Sequence, residues 1–558
     1  MTQPPSPTPP PSPLPPQLPL PRRTLLTATA ATAATAATAA LASGCQGESS
    51  TPPPSTDGKP APPPTRAPTP ARTPTPPPPR TKSHDWPALA RSLAGPLVRP
   101  GEADYPTARQ LYSPRFDHQK PAAVAYVAHE ADIREALAYA RATRTPVSIR
   151  NGGHSYTGWS SGTGHLVVDV SKLDTVRTPS AETATIGAGA KLLGVYRTLA
   201  ATRGRTIPAG SCPTVGISGL TLGGGHGVVS RAYGLTCDNL TAATLVTADG
   251  KTLRCDAATN PDLFWALRGA GNGQFGVVTE LRFRTHPAPQ AVTGDLSWPW
   301  SKAAAVLTAW QDWGPDQPDE IWSTLHLSAG AAGGDPGVSL SAFSLGTRSE
   351  LANAVDRLTA KAGAPRAATL RPRGYQDSML LFAGCADLSA DQCHLPGRTP
   401  GRTPGGRLNR STYAARSDFF ARRLSPAGVR SLLTGVENFT RVTAAEGGGA
   451  GTVALTALGG AINRVAPEAT SFVHRNMRVL AQYTTSWRAG TEGTAQQEWL
   501  TAVHGSMRRH ASGSAYQNYP DATLPDWRRA YYGTAARRLT ELKARYDPTR
   551  LFDFPQAL

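Results

Sequence analysis

Hydrophobic and polar positions first form a regular pattern between residues 122 and 149. The stretch AVAYVAH is typical of a strand, and PVSIR is typical of a second one. Between them Ile133, Ala136, Leu137 and Ala140 recur at helical spacing, which predicts an amphipathic helix. Asp132 stands just ahead of these positions, where an acidic side chain can cap a helix N-terminus. The pattern predicts a strand–helix–strand unit.

A similar alternation continues to about residue 287. HLVVDVSKL predicts a strand, ATIGAGAKLLGVYRTLAATRG a strand that enters a helix, and AATLVTADGKTLR a hairpin with an Asp-Gly turn. LFWALRGAG predicts a short helix that reaches a glycine turn, and GVVTELRFRTHP predicts a long strand. This part of the chain is therefore expected to be an α+β region with many glycine turns.

The pattern changes near Pro287. Residues 291–505 contain helical stretches such as AAAVLTAWQDWG and strands such as WSTLHLSAG and VLAQYTTSW, with few glycine-rich motifs. They predict a second domain built on an antiparallel sheet and backed by helices. After residue 506 the pattern predicts an extended AYQNYPD, a helix WRRAYYGTAARRLTELKARYD and an extended end. We therefore expect a domain at 84–290, an inserted domain at 291–505 and a C-terminal segment at 506–558.

The first 83 residues have a different composition. In residues 1–45, PRRTLL precedes a weakly apolar Ala/Thr run and small residues before Cys45. This is the pattern of a twin-arginine export signal with a lipoprotein-like cleavage site; an ordinary or uncleaved signal is the alternative. The apolar run is too short and too weakly apolar for a good membrane-spanning helix. Residues 46–83 are rich in Pro and Thr, a composition that cannot bury a hydrophobic face and predicts a disordered linker. We expect an exported protein, either tethered to the outer face of the bacterial membrane through a lipid on Cys45 or secreted.

The charge pattern bears on the class of partner, and the cysteine positions bear on disulfide bonds. The formal net charge is +18, but the arginines are scattered and no aromatic-interleaved basic stripe occurs, which argues against nucleic acid as a partner. Cys385 and Cys393 bracket a short polar loop and are expected to form a disulfide outside the cell. A second disulfide between Cys237 and Cys255 is an open alternative, and Cys212 then has no obvious partner.

Three glycine-rich stretches carry the candidate chemistry. RNGGHSYTGW follows the predicted strand VSIR, and it has neither the Lys-Ser/Thr of a phosphate loop nor a second metal ligand at helical spacing. AGSCPTVGISGLTLGGGHG lacks the downstream acidic residue of a dinucleotide-binding Rossmann fold. NPDLFWALRGAGNGQFGVVTELRF is the third stretch. Three such loops suggest a long ligand that is held by backbone in several places, and no metal site is expected.

These motifs resemble the berberine-bridge-enzyme group of FAD-linked oxidases, within the vanillyl-alcohol-oxidase superfamily. The matching pieces are RNGGHSY, the CPTVG and GGGHG glycine loop with SRAYGLTCDN after it, the third glycine stretch, TYAARSDFF, AYQNYPD and YDPTRLFDFPQAL. They follow the family's order from about residue 100 to the end. The resemblance implies a two-part FAD-binding domain of the PCMH type, in which residues 506–558 complete the domain formed by 84–290. The substrate domain is inserted between the two parts.

The resemblance also assigns roles to residues. His154 and Cys212 occupy the two positions at which this family links its flavin covalently, so bicovalent FAD is expected. Val215 occupies the position over the oxygen-reactive face of the flavin, where valine accompanies oxidases and leucine accompanies dehydrogenases. The implied flavin-binding positions are Arg150, Asn151, Gly152, Gly153, His154, Ser155, Cys212, Val215, Gly216, Gly219, Gly224, Gly225, Gly227, Gly276, Val278 and Asn518.

The catalytic candidates lie outside the glycine loops. An alcohol substrate needs a base for its hydroxyl proton, and AYQNYPD offers Tyr516 and Tyr519, of which Tyr516 is the first choice. If this segment is extended, Tyr516 and Asn518 point one way and Tyr519 the other. Gln482 matches a position near flavin and substrate in relatives.

The expected function is an FAD oxidase that acts on an alcohol group of a saccharide or a hydroxylated small molecule, reduces O₂ to H₂O₂ and works as a monomer. We find no counterpart of the glutamate base used for ring closure by the enzyme that names the family, which favours alcohol oxidation over C–C bond formation. The alternatives are a dehydrogenase that passes electrons to another acceptor and a binding protein that keeps only the fold.

Overall fold

The computed structural model describes residues 84–558. The expected signal and linker, with Cys45, lie outside the described residues. Up to residue 287 the elements are α1 Trp86–Ser92, β1 Leu97–Val98, α2 Tyr105–Ala108, β2 Ala123–Tyr126, α3 Glu130–Thr143, β3 Val147–Arg150, β4 Leu166–Asp169, β5 Val176–Ser180, β6 Thr183–Gly187, α4 Leu192–Arg203, β7 Arg205–Thr206, α5 Ile217–Leu222, α6 Ser230–Tyr233, β8 Leu240–Val246, β9 Thr252–Asp256, α7 Pro261–Leu267, β10 Val277–Arg284 and β11 His286–Pro287.

The remaining elements carry the chain to its C-terminus. They are β12 Ala291–Trp298, α8 Ala303–Trp313, β13 Ile321–Gly330, β14 Gly337–Ser344, α9 Arg348–Ala362, β15 Ala367–Arg373, α10 Tyr375–Phe382, β16 Tyr413–Phe420, α11 Pro426–Glu437, β17 Ala450–Ala457, α12 Ala461–Arg464, β18 Val479–Ser486, α13 Thr494–Arg508, α14 Trp527–Tyr532 and α15 Ala536–Tyr546. Short 3-10 turns join several of them.

The first sheet contains the predicted strand–helix–strand unit. Its order is β1-β2-β4-β3, and β4 pairs in parallel with both β2 and β3. Helix α3 makes the crossover, and its apolar stripe with Ile133 and Leu137 is fully buried. Parallel strands are buried on both faces, and β2 and β4 are buried at every position. The arrangement places the RNGGH turn directly after β3.

Asp132 has a different role from the predicted helix cap. Helix α3 begins at Glu130 with His129 as the N-cap, so Asp132 lies inside the first turn. Its buried carboxylate accepts hydrogen bonds from the backbone N–H groups of Ala94, Gly95 and Ala128. The Asp132 side chain therefore connects the loop at Ala94 and Gly95 and the loop at Ala128 to the first turn of α3. Its carboxylate gives an acceptor to backbone N–H groups that lie outside the helix.

The second sheet is antiparallel with the order β5-β6-β10-β8-β9. The open alternative of a disulfide between Cys237 and Cys255 is not realised, since both thiols are free and buried. They belong to different parts of the core: Cys255 lies on β9 in the core of the N-terminal half, while Cys237 packs with Phe419, Phe472 and Tyr516. The predicted Cys385–Cys393 disulfide is confirmed.

The third sheet forms the centre of the second half. It has seven strands in the order β15-β12-β14-β13-β17-β18-β16, all paired antiparallel. Helices α8, α9, α11 and α13 bury their apolar faces on one side of it, with Trp310 and Leu358 fully buried. Side chains alternate along a strand, so Trp322 and Gln482 point to the opposite side. The predicted α+β fold with an antiparallel sheet backed by helices is confirmed.

The C-terminal segment packs against the N-terminal half. The single helix predicted after residue 526 is two helices, α14 and α15, because Gly533 with φ of +46° turns the chain between them. Arg538 of α15 pairs with Asp262 of α7, and the backbone N–H of Leu558 donates to Gln274. From residue 84 onward no helix combines the length and the apolar character needed to cross a membrane.

Candidate active site

A cavity of about 660 Å³ lies where the three parts of the chain meet. Its wall takes residues from the RNGGH turn, from the glycine loop after Gly210, from β10, from strands of the seven-stranded sheet, and from residues 516–556. This volume falls within the roughly 300–1,000 Å³ that small-molecule and cofactor sites occupy.

The RNGGH turn is fixed from behind. Arg150 is buried, and its guanidinium Nε donates to the Asp169 carboxylate at 2.5 Å. The Asn151 amide donates to the carbonyl of Ala188, and a Cβ on Gly152 would lie 2.6 Å from the backbone nitrogen of Gly216. Only glycine allows this close approach of two backbones. The turn therefore presents the next side chains to the cavity in one conformation.

His154 and Cys212 meet the same threonine. His154 stacks on Tyr112 with ring centroids 4.0 Å apart, and its Nε2 lies 2.8 Å from Thr214 Oγ1. Cys212 Sγ lies 3.9 Å from that same hydroxyl oxygen. Burial lowers the pKa of His154 to about 3, so the imidazole is neutral, and burial raises the pKa of the Cys212 thiol. Thr214 and Tyr112 were not predicted, although Thr214 stands two residues after Cys212 in the CPTV motif.

The other predicted flavin-binding residues divide into two groups. Those on the cavity wall, besides His154 and Cys212, are Arg150, Asn151, Gly152, Gly153, Ser155, Val215, Gly216, Gly219, Gly227, Gly276, Val278 and Asn518. Gly224 and Gly225 are not on the wall. Gly225 has φ of +82° and directs its N–H to the Tyr516 hydroxyl at 2.8 Å, so its contribution to the site is indirect.

The AYQNYPD segment is a turn and not the extended strand that was expected. The backbone N–H of Tyr519 donates to the carbonyl of Tyr516 at 2.8 Å, which brings the two rings to 4.9 Å on the same side. Tyr516 is 2% exposed, and its hydroxyl oxygen accepts from the Gly225 N–H and, at 2.9 Å, from the Asn518 amide. The alternation rule failed here because turn hydrogen bonds replace the extended backbone.

Tyr519 belongs to a chain of polar contacts along the cavity wall. Its hydroxyl lies 2.9 Å from His226 Nε2, and its ring stacks on Tyr156 with centroids 5.2 Å apart and planes within 2° of parallel. The Tyr156 hydroxyl accepts from the Gln482 amide at 2.7 Å, and Tyr413 meets Tyr156 edge-on. Burial raises the pKa of each tyrosine in this chain.

Sequence patterns did not identify Tyr156, His226 or Tyr413 as functional. Tyr156 and His226 stand inside the two glycine stretches that were already singled out, which was a usable signal. Tyr413 lies at the start of β16, opposite Ser486 of β18, and only the tertiary structure brings its ring against Tyr156. Trp322 of β13 and Phe382 at the end of α10 complete the aromatic wall.

The cavity suits a long cofactor with a flat ring and polar parts. Glycine backbone forms one side, and the Asn272 amide donates to Asn518 Oδ1 at 2.8 Å. Gln274 of the third glycine stretch and Gln556 of the C-terminal segment also line the wall. Such a mixture of bare backbone, amides and aromatic rings binds a nucleotide cofactor at several points without a metal. The donor set thus fits FAD.

Comparison with known proteins agrees with this geometry. The FAD binding domain model matches residues 121–256, and the berberine and berberine-like model matches residues 515–558. The uncharacterized FAD-linked oxidoreductase YgaK of Bacillus subtilis is 31% identical over 473 residues, which is 84% of this chain and 97% of YgaK. The chain belongs to the berberine-bridge-enzyme-like family of FAD-linked oxidoreductases.

Other members of this family extend the comparison. The chitooligosaccharide oxidase of Gibberella zeae is 30% identical, with 79% of this chain and 87% of that protein aligned. The structure of BBE-like 1 from Physcomitrella patens superposes with a TM-score of 0.75 at 30% identity, covering 84% of this chain and 97% of the other. The expected family, the PCMH-type flavoprotein fold, FAD as the cofactor and oxidoreductase activity are confirmed.

Proposed function

We propose that this protein is an oxidase that oxidises an alcohol group of a saccharide or a hydroxylated small molecule, with FAD attached through His154 and Cys212. One observation carries the proposal: a single cavity contains both linking side chains, joined by Thr214, and a chain of tyrosines that ends at Gln482. A binding protein with the same fold would have no need to bring a nucleophile pair and proton-transfer groups together.

The residues at one end of the cavity suit covalent attachment. The lowered pKa of His154 keeps a lone pair on its imidazole at neutral pH, as a nucleophile requires. The Thr214 hydroxyl can accept from the Nε2–H of His154, which leaves the lone pair on Nδ1, and can donate to Cys212 Sγ at the same time. Bound FAD would supply the acceptor for a hydride from the substrate carbon and the electrons that reduce O₂ to H₂O₂.

Tyr519 is the better supported of the two candidate bases. The Tyr516 hydroxyl is already engaged by two N–H donors and is enclosed, whereas the Tyr519 hydroxyl has a histidine nitrogen as its partner on the cavity wall. A group that takes a proton from the substrate must be reachable and must be able to give up its own. We therefore assign hydroxyl deprotonation to Tyr519, substrate orientation to Gln482, and support of the turn to Tyr516.

The substrate pocket has an aromatic and uncharged wall near the tyrosines. Trp322, Phe382 and Tyr413 offer flat apolar surfaces, while Gln482 and Thr484 offer hydrogen bonds. Aromatic faces with a few polar groups accommodate the apolar face and the hydroxyls of a sugar ring, or an aromatic alcohol. The similarity to a chitooligosaccharide oxidase supports a saccharide.

Two measurements test the function. Acid-precipitated holoenzyme should stay yellow, because covalent flavin cannot be released. Oxygen uptake with stoichiometric H₂O₂ should follow addition of a substrate from a panel of chitooligosaccharides, xylooligosaccharides and aromatic alcohols. Substrate reduction of the flavin with slow reoxidation by O₂ and fast reoxidation by a quinone would instead establish a dehydrogenase. A colourless protein would refute the proposal.

We also propose that the protein is exported and tethered through Cys45, on the basis of the sequence before residue 84. Cell fractionation after Cys45→Ser tests the tether. The variant should appear in the medium, and equal membrane association of both proteins would contradict lipidation.

A further inference from the structure

Tyr519 and His226 form a hydrogen-bonded pair on the cavity wall. Tyr519 Oη and His226 Nε2 are 2.9 Å apart, and both residues line the cavity. His226 directly follows Gly225, whose N–H holds Tyr516, and the Tyr519 backbone N–H holds the carbonyl of Tyr516. The glycine loop and the 516–519 turn, which are distant in sequence, are therefore held together at this pair.

We propose that His226 takes the proton of Tyr519 while Tyr519 takes the proton of the substrate hydroxyl. The inference rests on the proposed alcohol oxidation. The substrate O–H bond breaks and its proton bonds to Tyr519 Oη; the original Tyr519 O–H bond breaks and that proton bonds to His226 Nε2. The substrate loses two electrons with the hydride that its carbon transfers to bound FAD, and O₂ is the final oxidant.

Tyr519 cannot act alone in this environment. Burial raises the pKa of its phenol, so at neutral pH it already holds a proton and can accept another only by losing the first. A base needs an acceptor behind it, and His226 is the side chain that the Tyr519 hydroxyl meets. The relay removes the need for a free tyrosinate in the resting enzyme.

The surroundings of His226 keep its imidazole neutral. The titratable rings against it are Tyr516 and Tyr519, with centroids 5.5 and 5.9 Å away, and in the described part of the chain no charged group shifts its pKa. Burial lowers its pKa to about 4, which leaves a lone pair at neutral pH. The cause is burial alone, as expected where no carboxylate stabilises the imidazolium.

The hydrogen-bond partner distinguishes His226 from two other histidines whose pKa is lowered to about 4. His286 Nε2 lies 2.6 Å from Asn239 Oδ1, and His474 Nε2 lies 3.0 Å from the Tyr531 carbonyl oxygen. Those oxygens only accept, so both rings must carry hydrogen on Nε2. A hydroxyl can donate, and the relay requires that His226 carry its hydrogen on Nδ1.

The kinetic test uses a matched pair of variants, His226→Gln and His286→Gln. Glutamine at 226 can accept a hydrogen bond but cannot take the proton, so anaerobic flavin reduction should slow by about 10²-fold or more. The remaining rate should rise with pH, since Tyr519 must then ionise unaided. His286→Gln changes a half-buried histidine that stacks on Tyr233 away from the cavity. The flavin of this variant should be reduced at the wild-type rate with the wild-type pH profile.

The outcomes separate the relay from the function on which it rests. Wild-type reduction in His226→Gln together with slow reduction in Tyr519→Phe would overturn the relay and keep the base. Wild-type reduction in both variants would overturn the assignment of the base as well, while substrate turnover and peroxide formation would still support the oxidase.

A spectroscopic test needs no variant at 226. In holoenzyme with ¹⁵N-labelled histidine, one imidazole should show an unprotonated Nε2 at pH 7. The ¹⁵N chemical shift of this Nε2 should change in Tyr519→Phe and should be the same as in the wild type in Tyr413→Phe. The proposal would be overturned if the imidazole whose ¹⁵N signal responds to Tyr519→Phe carries hydrogen on Nε2 in the resting enzyme.

Discussion

At one end of the cavity, the Thr214 hydroxyl stands between the two side chains proposed to hold the flavin. His154 lies near this hydroxyl from the RNGGH turn, and Cys212 lies near it from the glycine loop. His154→Ala and Cys212→Ala should therefore each keep one covalent bond, and intact mass should exceed the apoprotein by one FAD in both. The double variant should lose flavin on acid precipitation. Yellow colour in the pellet of the double variant would contradict the assignment.

The two tyrosines of the 516–519 turn should respond differently to loss of the hydroxyl. Tyr519→Phe should slow flavin reduction by about 10²–10⁴-fold, the usual share of general base catalysis, with flavin still bound. Tyr516→Phe leaves the Gly225 N–H and the Asn518 amide without their acceptor, so it should cost about 1–3 kcal/mol of stability for each group left buried without a partner. Its effect on reduction should be smaller. Rapid-mixing kinetics that show the larger slowing in Tyr516→Phe would return the role of base to Tyr516.

Val215 is the residue that we propose to control the access of O₂ to the flavin. Its side chain lines the cavity, and its backbone carbonyl accepts from the Leu192 N–H at 3.0 Å, so the residue is held in place. A longer side chain should fill the space through which O₂ approaches. Val215→Leu should slow reoxidation by O₂ in stopped-flow measurements and leave reduction by substrate nearly unchanged. Equal reoxidation rates would show that Val215 does not control access.

At the scale of elements, Arg231 of α6 fastens the N-terminal half to the seven-stranded sheet. Arg231 is 1% exposed, and its guanidinium donates to the carbonyls of Pro315, Gln317, Ile321 and Leu458. Among residues 84–558 no carboxylate lies in hydrogen-bond contact with it. The bonds to Pro315, Ile321 and Leu458 are buried, and a buried carbonyl needs a donor. This contact therefore holds the wall of the cavity that Trp322 provides.

Arg231→Leu should destabilise the protein by about 3 kcal/mol or more, because it leaves several buried acceptors unpaired. The thermal midpoint of the holoenzyme measures the loss. Arg282→Leu, which changes an exposed arginine of β10, is the control and should shift the midpoint little. An equal midpoint for Arg231→Leu and wild type would refute the role of this contact.

For the whole molecule, buried histidines predict sensitivity to mild acid. Burial lowers the pKa of His226, His326 and His474 to about 4, against about 6.5 in an unfolded chain. Between these values the unfolded state binds more protons, so stability is complete above pH 6.5 and falls as the pH drops toward 4. Each histidine contributes a slope of about 1.4 kcal/mol per pH unit.

Thermal unfolding between pH 7 and 5.5 tests this prediction before most carboxylates begin to titrate. The midpoint should fall steadily over this range in the wild type. His474→Gln should flatten the fall, because glutamine does not titrate. A midpoint independent of pH in the wild type would contradict the prediction.

Much of the fold was accessible from local pattern. The helix spacing of Ile133 and Leu137, the alternation along β18 and the Asp-Gly hairpin are short-range signals, and the structure has those elements. Errors occurred where a distant contact or a turn outweighed the local pattern, as at Asp132, at Gly533 and in the 516–519 turn. The alternative of a disulfide between Cys237 and Cys255 was wrong for a related reason, since proximity in sequence does not decide which part of the core a side chain enters.

The sequence by itself determined the family, the cofactor and most of the wall of the site, because glycine loops and their flanking residues must keep their chemistry wherever the fold places them. Only the tertiary structure decided which side chains act together. His226 and Tyr519 are separated by 293 positions, and Tyr156 and Gln482 by 326, yet each pair is within hydrogen-bond distance. No local pattern encodes such a pair, since its distance depends on how the sheets, the turn and the C-terminal segment pack around one cavity.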